Sequence, residues 1–193
     1  VVTGALPVSY WFQTVSGQII DLDAPSTWVI NIEDIAHALS NICRWGGHTR
    51  TFYSVAQHSV LVASCMPTPL LSMCGLLHDA AEAYVGDVIS PLKDWARRDG
   101  FGAGLERRFH DAIASKFALD LGFQERANVK HADRVVLATE LRDLCRPTNR
   151  AWEAMLPEPL PMVIEPWSPG EARTEFMRAF ETIHARLLAP VGP

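Results

Sequence analysis

No stretch of the 193 residues is apolar for anything near the ~20 residues that a membrane-spanning helix needs. The longest such runs are residues 59–66 and 70–77, so a membrane partner through a spanning helix is excluded. Positive charge is also in short supply. Lys and Arg number 17 against 22 Asp and Glu, for a net charge of −5. No overall basic field exists to draw the chain onto nucleic acid or anionic lipid, so an anionic partner must be small and held by a local cation cluster or a metal. Cysteine is sparse. Cys43, Cys65, Cys74 and Cys145 contain no C-x-x-C spacing and each lies in an apolar segment, which excludes a disulfide framework and a zinc knuckle. Near the start there is no basic segment followed by an apolar core and a cleavage site, so a cytoplasmic location is expected. Repeats and low-complexity tracts are absent.

What is present is ordinary globular composition, 48% hydrophobic and 20% charged, enough to bury a core without staples. A single domain over residues 1–193 is expected, with its core at about 32–145, an N-terminal extension at 1–30 and a C-terminal helix at about 170–188. Residues 10–15, then Ser16-Gly17, then residues 18–21 read as a small hairpin. From Asn31 onward the apolar spacing is helical. Asn31 with Asp34 resembles a capping arrangement, and Ile32, Ile35, Ala36, Leu39 and Cys43 form a stripe that stops at Gly46-Gly47. Ser54 caps the next helix. Further helices are expected from Leu70 to about Tyr84, from Pro91 to Arg98, over 105–119, over 124–145 and over 170–188. The glycine-rich residues 100–104 separate two of them, and a proline-rich connection covers 147–169. About six helices with little strand predict an all-α bundle.

Of seven histidines, His78 stands in the most informative place, in Leu76-Leu77-His78-Asp79-Ala80-Ala81-Glu82. A His-Asp pair at the end of an apolar helix is costly unless something pairs with it. Glu82 is four residues beyond His78 and three beyond Asp79, so a continuous helix puts all three on one face. One imidazole, one ligating carboxylate and one free carboxylate are what a metal-activated water needs. His58 offers a second imidazole on the preceding helix, and Asp133 a second carboxylate on the long later one. Two His and two Asp would fill four positions and leave others open for water and substrate. The second His-Asp pair, His110-Asp111, is followed at the same spacings by Ile113 and Ala114, so it lacks a base. It is read as a half-buried histidine or a polar helix face. The bland alternative for the first is a polar network that braces helices.

The order His58, His78-Asp79, Asp133 resembles that of the HD-domain metal-dependent phosphohydrolases. Within them the likeness is nearest to the bacterial HD-type 5'-deoxynucleotidases and the phage HD-domain dATP triphosphohydrolases. The shared run is His78-Asp79-x-x-Glu82-x-x-x-Gly86-Asp87-x-x-x-Pro91-x-Lys93, with Arg44-Trp45 upstream and Lys130-x-x-Asp133 downstream, over roughly residues 32–145. The resemblance implies an HD-domain helical bundle and one divalent metal ion (Co, Mn, Zn, Fe or Mg) held by His58, His78, Asp79 and Asp133. It implies that Glu82 activates the attacking water, and that Asp87 takes part or contacts the deoxyribose. His131 stands two residues from Asp133, about 200° around a helix, and so does not join a second metal. Arg44, Lys93 and Lys130 flank the motif segments and are expected to bind phosphate. Trp45 is expected either to stack on a base or sugar or to pack in the core.

The expected function is cleavage of phosphate from a small-molecule nucleotide, a deoxynucleotide monophosphate or triphosphate, with no nucleic-acid partner and with self-association into a homo-oligomer. The absence of a Gly-Tyr-Pro signature argues against a cyclic-dinucleotide phosphodiesterase, and the Gly86-Asp87 continuation suits a guanosine-tetraphosphate hydrolase less well. The alternative from another class is a non-catalytic HD module that senses a nucleotide or metal.

Overall fold

A computed structural model describes residues 10–98, 104–119, 123–147 and 154–189. The remaining residues, among them 1–9 of the N-terminal extension, 99–103 of the glycine-rich stretch and 148–153 of the proline-rich connection, lie outside that description. Among the described residues the fold is all-α apart from one hairpin, as the helical periodicity predicts. Strands β1 (Trp11–Gln13) and β2 (Ile19–Asp21) pair antiparallel, with Phe12 opposite Ile20. Gly17, at φ +85°, supplies the left-handed residue of their turn.

Helix α1 (Ile32–Asn41) begins at Asn31, whose side chain accepts from the Glu33 amide. Asp34 does not join that cap. It is buried and accepts bonds from Thr14 Oγ1 and from both the amide and hydroxyl of Ser16, which fasten the hairpin to α1. After α1 the chain forms a short 3-10 turn (Arg44–Gly47), and Cys43 pairs with Ser54 in an isolated antiparallel bridge.

Helix α2 (Val55–Ser64) is capped by Ser54, which accepts from Gln57 N. Eight of its ten residues are buried, among them the polar Gln57, His58 and Ser59, so it is enclosed on nearly every side. It packs on α1, on α3 (Pro69–Leu77), on α7 (Phe123–Leu144) and on α8 (Pro169–Leu188). The core therefore lies in two clusters beside α2 and α3. One holds Ile35, Leu39, Leu76, Phe109 and Phe176; the other holds Tyr53, Val62, Leu71, Val129 and Val136.

The expected helix from Leu70 to Tyr84 is divided. Helix α3 stops at Leu77, and a four-residue α4 (Glu82–Val85) follows. Between them the backbone tightens: Ala80 N donates to Leu77 O, Glu82 N to Asp79 O and Tyr84 N to Ala81 O, all three residues back. His78 Nδ1 donates to the Gly75 carbonyl at 2.8 Å, competing for an acceptor that a continuing helix would use. Helices α5 (Ser90–Arg98) and α6 (Leu105–Lys116) complete this side. The proline-rich connection before α8 is strapped to its neighbours. Arg142 donates to Leu160 O and Met162 O, while Gln57 bonds Glu165 O and Trp167 N. No described helix is long and apolar enough to cross a membrane.

Gly75 sets the closest approach of α2 and α3. A Cβ there would meet the Ala63 Cα at 3.2 Å and its N at 3.3 Å, both backbone atoms that cannot rotate away. Gly75→Ala gains about 1 kcal/mol of helix propensity but overpacks this contact by roughly 1–3 kcal/mol. A net loss of about 1–2 kcal/mol is expected because the obstruction is backbone. Urea unfolding followed by circular dichroism should show a lower midpoint; an unchanged or higher one would mean that the helices part freely.

Candidate metal centre

Three elements bring the four predicted ligands together. His58 lies on α2 and is fully buried, His78 and Asp79 sit in the tightened turn after α3, and Asp133 comes from the middle of α7. The Nε2 atoms of His58 and His78 are 3.3 Å apart. Asp79 Oδ2 is 3.2 Å from His78 Nε2 and 3.6 Å from His58 Nε2. Asp133 Oδ1 lies 3.4 Å and 4.0 Å from the His58 and His78 Nε2 atoms. Donor atoms of His58, His78 and Asp79 all fall within 4.8 Å of one another, as a metal site requires.

The other ring nitrogens decide what this cluster can accept. His58 Nδ1 is 2.6 Å from Glu140 Oε1, and His78 Nδ1 is 2.8 Å from the Gly75 carbonyl. Both partners are acceptors, so each Nδ1 carries its proton and each neutral imidazole presents a bare lone pair at Nε2. Two lone pairs and two carboxylate oxygens thus converge with no proton between them. Only a cation or added protons can relieve that arrangement. Two imidazoles and two carboxylates are a donor set that fits a divalent transition metal.

Electrostatics follow the same logic. Burial and Arg44 work against protonation of His58, yet Glu140 and Asp133 outweigh them and its pKa rises above 6.5. Burial likewise opposes protonation of His78, and Asp79 overcomes it. Asp133 is held well below the usual carboxylate range despite burial: an added proton on His58 Nε2 would be shared with it, His78 is near, and Lys130 donates to it. Glu82 behaves oppositely. Burial first, then the charges of Asp79 and Asp87, push its carboxyl up to about 8 against the pull of Lys93 and Arg44. Its Oε2 is buried without a hydrogen-bond partner, while Oε1 faces Lys93 Nζ at 3.4 Å.

The remaining predicted residues occupy mixed positions. Arg44 is tied inward: Nη1 is 3.3 Å from Asp79 Oδ2, and Nη2 donates to Glu140 Oε2 at 3.4 Å. Trp45, half-buried, adopts a left-handed φ of 58° and gives its indole N–H to Glu140 Oε2 at 3.0 Å. Lys93 bridges Glu82 and Glu106, the latter at 2.8 Å. Lys130 is 73% exposed and bonds Asp133 Oδ2 at 2.7 Å, on the solvent side of the cluster. Asp87 is half-buried in the loop after α4. His110 pairs loosely with Glu106 on α6, and His131 is exposed.

Glu140 was missed by sequence reasoning. It is fully buried, seven residues beyond Asp133 and therefore two turns along the same face of α7. An acid in the inward stripe of Val129, Ala132 and Val136 was the available signal. Glu106 was missed as well; nothing in the chain order marks it as the partner of Lys93.

No family model matches the chain. The uncharacterized protein YfdR of Escherichia coli is 36% identical over 179 residues, which cover 90% of this chain and 95% of YfdR. The chain belongs to the YfdR family. The uncharacterized protein RCAP_rcc00048 of Rhodobacter capsulatus is 32% identical to this YfdR-family chain over 167 residues, 80% of the chain and 83% of that protein. Among solved structures, the cyanophage S-2L HD phosphohydrolase DatZ, bound to dA and one catalytic Zn2+ ion, aligns at a TM-score of 0.49 and 20% identity. The alignment covers 78% of this chain and 95% of that one.

The raised imidazole values make stability depend on pH in a defined direction. A histidine with a folded-state pKa above 6.5 contributes stability that is complete below 6.5 and is lost as pH rises through the folded value. Glu82 acts in the same sense between 4.5 and about 8. With a chelator present, the melting temperature of this YfdR-family protein should fall from pH 6 to pH 9, and excess Mn2+ should flatten the decline. A chelated protein whose melting temperature is level across that window would show that these protons are not what holds the cluster together.

Proposed function

We propose that the chain is a metal-dependent phosphohydrolase that cleaves phosphate from nucleotides, deoxynucleotide monophosphates or triphosphates in particular, by attack of water on phosphorus. One observation carries this reading: His58, His78 and Asp79 bring acceptor atoms within 4.8 Å of one another, Asp133 Oδ1 lies within 4.0 Å of both Nε2 atoms, and an unpartnered buried carboxylate oxygen, Glu82 Oε2, belongs to the same turn. His58, His78, Asp79 and Asp133 would hold the ion. A divalent cation bound there supplies a Lewis acid toward a phosphoryl oxygen and lowers the pKa of water.

The chain's own groups do the rest. Glu82 would take the proton of the attacking water at Oε2 as the oxygen–phosphorus bond forms. The ester or anhydride bond breaks with its electron pair on the leaving oxygen, which departs as phosphate or, for an ester, takes a proton from solvent and departs as the alcohol. Burial, Asp79 and Asp87 push the Glu82 carboxyl up to about 8 in the ion-free cluster, where it holds its proton at neutral pH. A cation among the neighbouring acceptors would draw it lower and keep it ionised in the working enzyme. Arg44, against Asp79, and Lys93, against Glu82, border the cluster on the side of the reacting groups, where they would balance charge on the phosphoryl oxygens. Lys130 adds a solvent-side cation. Trp45, whose in-plane indole N–H is given to Glu140, would stack a ring face on a base or sugar, and Asp87 would share in water activation or contact the sugar.

The test is release of phosphate or pyrophosphate from a panel of deoxy- and ribonucleotide mono-, di- and triphosphates with Co2+, Mn2+, Zn2+ or Mg2+. Deoxynucleotide turnover is expected. Glu82→Gln should lower kcat by roughly 10²- to 10⁴-fold with the ion still bound, whereas Asp79→Ala should lose both ion and turnover. Silence across the panel from protein shown to hold metal would instead favour a binding module. Full turnover by Glu82→Gln would remove Glu82 from the chemistry.

A further inference from the structure

Glu140 is a fully buried carboxylate that touches neither solvent nor the point where the four acceptors converge. Such a group is costly to bury, by several kcal/mol, unless its oxygens are satisfied. They are. Oε1 takes the His58 Nδ1 proton at 2.6 Å, with Arg44 Nε 3.4 Å away. Oε2 accepts from the Trp45 indole at 3.0 Å and from Arg44 Nη2 at 3.4 Å. Every one of these partners is a donor, and two belong to the segment that leads into the cluster.

We infer that Glu140 is the positioning residue of the metal centre: it holds His58 as the Nδ1–H tautomer, aims Nε2 at the ion, and anchors the Arg44–Trp45 turn over the same point. The inference rests on the metal-dependent reading above and adds to it a residue that never meets the ion. An imidazole free to choose its tautomer would carry its proton on Nε2 part of the time, and a protonated Nε2 cannot ligate. Pinning Nδ1–H removes that option and raises the basicity of the ligating nitrogen, an effect that typically amounts to ten- to a hundredfold in metal affinity. His78 obtains the same service from the Gly75 carbonyl, a neutral acceptor. His58 alone has a charged one, so of the two ligands it is the one whose strength depends on a side chain.

The same carboxylate explains the left-handed Trp45. A bulky residue at φ 58° is strained by about 1–2 kcal/mol, and its indole bond to Glu140 compensates. Arg44, next to it, spans from Glu140 to Asp79 and so relates the two carboxylates across the cluster.

Glu140→Gln preserves volume and one acceptor but replaces the other with an amide N–H₂, which opposes the donors around it. Two measurements separate this inference from the reading beneath it. The first is long-range ¹H–¹⁵N NMR of the chelated full-length protein, which reports imidazole tautomers without any metal. It should show His58 as Nδ1–H at high pH in the wild type and as a mixture in Glu140→Gln. The second is a titration with Co2+, followed by its visible absorption and by calorimetry. The wild type should bind, Glu140→Gln should bind about ten- to a hundredfold more weakly, and Trp45→Phe, which removes the indole donor but keeps an aromatic ring, should stay within about threefold of wild type. Equal Co2+ affinity in wild type and Glu140→Gln, or an unchanged His58 tautomer, would overturn the role given to Glu140. Failure of the wild type to bind Co2+ or any other divalent ion, with the expected tautomer seen, would overturn the metal reading, and the role of Glu140 with it. Thermal melts of each variant under chelation show whether it is folded. Should Glu140→Gln not fold, Glu140→Asp, which keeps the charge but shortens its reach, must show the same weakening for the inference to stand.

Discussion

Two carboxylate oxygens and two imidazole lone pairs crowd together, each carboxylate within 4.0 Å of both Nε2 atoms, and most of the chain's unusual features follow from keeping them there. Both imidazoles have already spent their Nδ1 protons on Glu140 and on the Gly75 carbonyl. What faces the centre is lone pairs and carboxylate oxygens. Such an assembly is unfavourable by itself and becomes favourable around positive charge. Arg44 supplies part of that charge, reaching Asp79 and Glu140 at once.

The scaffold meets this constraint through rigidity. Helix α2 is enclosed on nearly every side, so His58 has no room to swing away. The bare Gly75 lets α3 approach α2 at backbone distance, and it presents the carbonyl that orients His78. The arrest of α3 at Leu77 turns the following residues into a tighter coil, which places Asp79 and Glu82 three apart at close to one turn's spacing. Burial cost and chemistry are thus joined in the same few residues.

Charge around the centre is graded. Asp79, Asp133 and Glu140 are kept ionised by cationic neighbours despite burial, whereas Glu82, beside Asp79 and Asp87, is pushed toward its protonated form. Divergent proton affinities among adjacent carboxylates suit the acid–base role proposed for Glu82, whose Oε2 is buried without a hydrogen-bond partner. Lys93 moderates Glu82 and is itself held by Glu106 from the opposite helix.

Much of this was readable in one dimension. Apolar spacing foretold the helices, the caps at Asn31 and Ser54 are local bonds between near neighbours, and the hairpin follows from a short alternating run with Gly17. His78, Asp79 and Glu82 stand out because polar residues ending an apolar run are locally anomalous. Asp34 looked like a cap and is instead a buried clasp for the hairpin, since its partners lie 18 and 20 residues away. The break after Leu77 escaped notice because His78 spends its ring on a backbone carbonyl, a choice that composition does not reveal. Glu140 and Glu106 were invisible for a related reason: each acquires meaning only from a partner on another helix, 82 residues away for His58 and 13 for Lys93. Periodicity, capping and local chemistry are near-neighbour properties and can be read along the chain. Which acceptor meets which donor at 3 Å depends on how helices pack, and only the tertiary structure decides it.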